Sequence, residues 1–267
     1  VGAAEAQTAL DPVSEGADKN GSRKSAKKAS GRHRRIMPDR PFWQELPLLV
    51  VIALVAAFLL KTFVVQVFFI PSISMENTLV VKDRVLVDKV TYNFRDIRRG
   101  EIIVFDANGV LVDTPAASPS EEGNVISRSL GSFAGALGLA QSNDTDYIKR
   151  VIGLPGDRVA CCDANGRMTV NGIPLDETSY LYPGDRPSTS TFDVVVPADK
   201  LWVMGDHRSQ SADSRSRIGS PGGGFVPIDR VVGKAVVRSW PLSRIGTLPV
   251  PDTFEQPAIE QNRGTAQ

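Results

Sequence analysis

The sequence predicts a mainly β protein, with an antiparallel β-sheet domain preceded by one N-terminal transmembrane helix. Three observations carry this. A single charge-free apolar run, LPLLVVIALVAAFLL at 46–60, follows a strongly basic stretch. Beyond it come short segments rich in Val, Ile, Phe and Thr, at 83–89, 100–105, 147–152, 158–160, 168–170, 191–196, 201–204 and 231–239. They are separated by turn chemistry, including Gly153-Leu154-Pro155-Gly156-Asp157 and the hairpin signals Asn165-Gly166 and Asn171-Gly172, with no long helices alternating between them.

Length and composition agree. The chain has 267 residues, 23 glycines and 18 prolines, which suits one turn-rich folded domain with extensions. A net charge of +1 offers no bulk argument for nucleic acid.

Residues 1–41 have almost no apolar periodicity and read as a disordered basic tail. Lys19, Arg23, Lys24, Lys27, Lys28, Arg32, Arg34, Arg35 and Arg40 stand against Asp39 alone in its second half. A nucleic-acid tail would use such residues, but the apolar run that follows explains them by topology: positive charge stays on the cytoplasmic side. The span is placed at 42–62, since about 20 residues are needed to cross a bilayer, with Trp43 at one interface and Lys61 snorkelling to the other. No small-x-small cleavage site follows, so the run reads as an uncleaved anchor. The expected arrangement is a single-pass protein of the cell membrane, N-terminus cytoplasmic and the rest extracytoplasmic.

Val, Phe and Thr at 63–70 favour a strand that delivers Pro71-Ser72-Ile73-Ser74 just outside the membrane. The folded domain is expected over 63–246, with 107–146 as an insertion containing a short helix within 124–141, and 247–267 as a mobile tail. Cys161 and Cys162 lack metal spacing and read as two small residues in or near a strand, where a vicinal bridge would be strained.

Ser74 is the candidate nucleophile, and a serine hydroxyl needs a base and an oxyanion stabiliser. On a strand, Tyr147, Lys149 and Val151 share one face, so Lys149 has apolar neighbours able to lower its basicity; Arg150 points the other way, solvated or paired. An ordinary solvent-facing lysine remains the alternative. His33 lies on the wrong side of the membrane, which leaves His207, in Gly205-Asp206-His207-Arg208, for a Ser-His-Asp triad, although a histidine there is more often a turn residue. No cluster of metal ligands appears, and neither metal nor cofactor is expected.

PSISMENTL (71–79), DRVLVDK (83–89), YIKRVIGLPGD (147–157) and GDHRSQSADSR (205–215) occur in the order of the motif boxes of bacterial type I signal peptidases. GEIIVF and VGKAVVRSWPLSRIG are similar to that family as well. The resemblance covers about 42–246, outside most of the insertion. It implies a serine-lysine dyad, with Ser74 as nucleophile and Lys149 as general base. It implies an oxyanion hole from Ser72 and the Ser74 N–H, Ser211 orienting the lysine, Asp213 and Arg215 supporting the site, and Met75 near the cleft. The implied substrates are preprotein signal peptides with small residues at −1 and −3, bound as an extended strand, and the implied surroundings are a lipid bilayer. Asn77 stands where many members have proline, and His207 where many have asparagine; Ser209-Gln210 replaces a frequent Asp-Asn. Two other readings are a self-cleaving peptidase of the LexA repressor type, which the span argues against, and a catalytically inactive anchored homologue acting as a binding module.

Overall fold

The computed structural model describes residues 42–112 and 145–264; within the first helix, side chains are described for residues 45–58. That helix, α1 (Phe42–Phe63), ends where Leu and Ala give way to Thr62, Phe63, Val64 and Val65, whose branched and aromatic side chains favour strands. Leu48, Leu54, Val55 and Phe58 on it are exposed. Among the described residues no helix is long and apolar enough to cross a membrane.

The chain then builds two antiparallel sheets. The first has the order β1-β2-β11-β3-β4-β9-β10, with β12 (Gly246–Thr247) on β11. Its strands are β1 (Val65–Phe69), β2 (Arg84–Asp88), β3 (Ile102–Asp106), β4 (Asp146–Gly153), β9 (Lys200–Met204), β10 (Val226–Pro227) and β11 (Val231–Trp240). The second has the order β7-β6-β5-β8, from β5 (Arg158–Cys161), β6 (Met168–Val170), β7 (Ile173–Pro174) and β8 (Phe192–Val195). Strand β2 shows the period of two expected of a strand with one covered face: Val85 and Val87 are fully buried between Arg84, Leu86 and Asp88. Strand β3 lies between β11 and β4 and is apolar on both faces, so Ile102, Ile103, Val104 and Phe105 are all buried. Ile152, Met168, Leu175 and Trp202 fill one core, each worth about 1.5–3 kcal/mol of transfer free energy.

One expectation is corrected. Residues 247–264 are not a mobile tail. Leu248, Phe254 and Ile259 are buried, Phe254 and Ile259 against the core that contains Trp202, and α2 (Pro257–Gln261) closes the segment. Four apolar side chains, Leu248, Val250, Phe254 and Ile259, are spaced among prolines that limit the chain entropy lost on docking. Gly100 makes room for this segment: it has φ +78°, and a Cβ there would lie 2.6 Å from the Phe254 ring. The side chains of Cys161 and Cys162, whose redox state the sequence leaves open, lie against each other where Cys161 closes β5.

Of the proposed insertion, Ala107 and Leu111 are buried against β3 and its neighbours, and Asn108 bridges to Val112. The helix expected within 124–141 lies outside the described residues, as does the basic tail.

Candidate active site

Ser74 lies on the connection from β1 to β2. Ile70 N–H donates to Asp83 O (3.0 Å) and Lys82 N–H to Ile70 O (2.9 Å), closing the base of the connection. Met75 and Leu79, both fully buried, anchor it in the core that also holds Val85 and Val87. Glu76 N–H donates to Ile73 O at 2.9 Å, making a tight turn around Ser74. Asn77 takes φ +87°, a left-handed conformation that asparagine tolerates and that proline, with φ fixed near −65°, cannot adopt. The departure from proline therefore goes with a distinct turn.

Strand β4 supplies the amine. Its register with β3 sets Lys149 opposite Ile103, and the side chain is buried. Lys149 Nζ donates to Ser74 Oγ at 2.7 Å and to Ile148 O at 3.0 Å. The Tyr147 ring lies 5.3 Å from it. Burial pushes the Lys149 ammonium down to about 8, while the Asp213 and Asp206 carboxylates act in the opposite direction. Ser72 Oγ is 3.2 Å from Ser74 Oγ.

The loop after β9 clasps the other side of Ser74. His207 N–H donates to Ser74 O at 3.1 Å. A Cβ on Gly205 would collide with both Ser74 O and Ser211 Oγ, so only glycine fits. Asp213, fully buried, accepts from Gly205 N–H at 3.0 Å and pairs with Arg215 at 2.8 Å. Ser211 does not hydrogen-bond Lys149: its Oγ packs against Gly205 and is buried without a partner among the described residues, because Nζ is directed to Ser74 and the Ile148 carbonyl. The His207 ring faces away from the hydroxyl. It stacks on Tyr182 (3.9 Å between centroids, 15° between planes), with Nδ1 3.4 Å from Glu76.

The opposite face of β4 carries a buried ionic network that sequence reasoning did not locate. Arg150 donates to both carboxylate oxygens of Asp206, at 2.8 and 2.6 Å, and to Gly100 O. Thr78 Oγ1 donates to Asp206 at 2.5 Å, tying the network to the turn around Ser74. Arg208 pairs with Glu177 at 2.5 Å, and both arginines lie over the Tyr180 ring. Strand alternation beside Lys149 puts Arg150 on the other face, solvated or paired, and nothing local identifies Asp206, 56 residues away, as its partner. A cavity of about 830 Å³ behind the turn, lined by Asn77, Thr78, Tyr180, Arg238 and Val250 among others, does not include Ser74 or Lys149.

A serine hydroxyl thus lies against a buried amine of lowered basicity on an antiparallel β scaffold. The family model described as signal peptidase, peptidase S26, matches residues 43–240. The chain is 37% identical over 228 residues to the probable signal peptidase I of Mycobacterium leprae, covering 76% of this chain and 78% of that one. It is 35% identical over 223 residues to the probable signal peptidase I-2 of Synechocystis sp., covering 84% of each. To the signal peptidase I of Mycobacterium tuberculosis it is 35% identical over 251 residues, covering 87% and 83%. The chain belongs to the signal peptidase, peptidase S26 family, and is a signal peptidase of the serine protease class.

Proposed function

We propose that this chain is a membrane-anchored endopeptidase that removes signal peptides from translocated preproteins after small-x-small sites, using Ser74 and Lys149 as a dyad. The observation that carries the reading is the 2.7 Å contact from Lys149 Nζ to Ser74 Oγ at an amine whose basicity burial has lowered. Neutral Lys149 takes the Ser74 proton as Oγ attacks the scissile carbonyl, and the resulting ammonium gives it to the leaving amine. The Ser74 N–H and the Ser72 hydroxyl hold the oxyanion. The acyl ester at Ser74 is then hydrolysed by a water that Lys149 activates. Asp213 and Arg215 support the loop that clasps Ser74.

In this reading the apolar 42–62 segment would serve as the anchor, with the basic tail cytoplasmic and the β domain outside. Exposed Val67 and Phe69 on β1, the strand leading to Ser74, would meet the outer leaflet. The substrate would bind extended, adding a strand beside the site rather than filling a closed cavity. The test is cleavage of an Ala-x-Ala signal peptide by the full chain in detergent, with Ser74→Ala and Lys149→Ala beside it. Cleavage after the second Ala that disappears in both variants is the expected result. Retained cleavage in Lys149→Ala would move the base elsewhere, and an unmodified chain that cleaves nothing would favour a binding module.

A further inference from the structure

Ser74 is held from the Gly205–His207 side by one backbone hydrogen bond, His207 N–H to Ser74 O at 3.1 Å. Against His207 lie an aromatic ring and a carboxylate. Its ring lies flat on Tyr182, and its Nδ1, buried without a hydrogen-bond partner among the described residues, is 3.4 Å from a carboxylate oxygen of Glu76. Glu76 is two residues beyond Ser74, and its own N–H closes the turn on Ile73 O. Tyr182 is tied back to the same loop, its N–H donating to Asp206 O at 3.0 Å, and Asn77 Nδ2 donates to Leu181 O at 3.0 Å. His207 thus sits at a three-way junction of the nucleophile turn, the 177–188 segment and the loop after β9. The other charged groups nearby are engaged elsewhere: Asp206 with Arg150, and Arg208 with Glu177.

We propose that His207 and Glu76 are a positioning pair for Ser74: the imidazole, braced on Tyr182 and directed at the Glu76 carboxylate, locks the carbonyl side of the nucleophile relative to Lys149. Neither side chain touches the reacting atoms. The inference rests on Ser74 being the nucleophile. The pair contributes to turnover because displacements of about 1 Å at a reacting group cost up to about 100-fold in rate, and the Ser74 turn has no ladder partner of its own to hold it.

The experiment is steady-state cleavage of an Ala-x-Ala signal peptide by the full chain in detergent, across pH, for His207→Ala, Glu76→Ala, the double variant and His207→Asn, with Ser74→Ala as reference. Expected are a fall in kcat of about fivefold to tenfold in each alanine variant, unchanged KM, and a double variant no worse than the singles. His207→Asn, which keeps an N–H donor, restores at least half of the lost rate, and the acid limb of the pH profile stays at the position Lys149 sets. Glu76 is partly exposed, so Glu76→Ala stays folded even where His207→Ala does not. Alanine variants with unmodified kcat would overturn the proposal, as would an acid limb displaced in His207→Ala, which would put the imidazole in the proton path. An active Ser74→Ala would overturn instead the reading of Ser74 as nucleophile.

Discussion

Replacing Lys149 by methionine should abolish cleavage and at the same time change stability in a way that only a buried, weakened base produces. Burial lowers the Lys149 pKa from 10.5 to about 8. At about 1.36 kcal/mol per unit, this corresponds to about 3 kcal/mol of destabilised ammonium. It also leaves about one Lys149 in ten neutral at pH 7, against about three in ten thousand for a free lysine. The unfolded chain keeps this proton up to about pH 10.5, and the folded chain releases it near 8. Between those values the unfolded state binds more protons, so this group makes stability rise with pH; the penalty is fully present below about pH 8 and gone above about 10.5. Methionine fills a similar volume without charge. It forgoes the hydrogen bonds to Ser74 and Ile148, a loss of about 1 kcal/mol each. Lys149→Met should therefore be more stable than the unmodified chain by about 1 kcal/mol near pH 7, and the difference should move by about 3 kcal/mol towards the unmodified chain by pH 10.5. Denaturant unfolding of the full chain in detergent, followed by fluorescence of the buried Trp202, measures both. A stability difference that stays constant from pH 7 to 10.5 would refute the lowered basicity of Lys149.

Cleavage itself should rise tenfold per pH unit on the acid side and level off above about pH 8, where burial sets the free enzyme's lysine; an inflection in the imidazole range would transfer the role of base to a histidine. Asp206→Ala strands the buried Arg150 guanidinium and should cost about 3–5 kcal/mol in denaturant unfolding, with Arg150→Met/Asp206→Ala recovering much of it; additive losses would show the pair to be uncoupled. Ile259→Ala, at a fully buried position, should cost about 2–5 kcal/mol in the same assay, whereas a change within 0.5 kcal/mol would mean that the C-terminal segment does not contribute to the core.

Much of the scaffold was legible because strands announce themselves locally. Alternation at 83–89 and turn chemistry at 153–157 need no distant information, and β2 and β4 lie where the pattern placed them. The C-terminal segment was misread for the converse reason. Its apolar residues are isolated between prolines, so they have no period of their own, and only the core they enter gives them meaning.

By itself the sequence determined the class of the protein, the place of most of its strands along the chain and the basic-then-apolar start, and it singled out Ser74 and Lys149 as candidates for acyl transfer. Residue type, period and motif order are properties of the chain alone. The tertiary structure decided what depends on contacts between distant segments: that Lys149 is buried against Ser74 across 75 residues, that Arg150 finds Asp206, that Ser211 faces Gly205 rather than the lysine, and that His207 meets Glu76. A pKa and a hydrogen-bond partner are set by the dielectric and the charges that packing brings together, and the packing exists only once the sheets have closed.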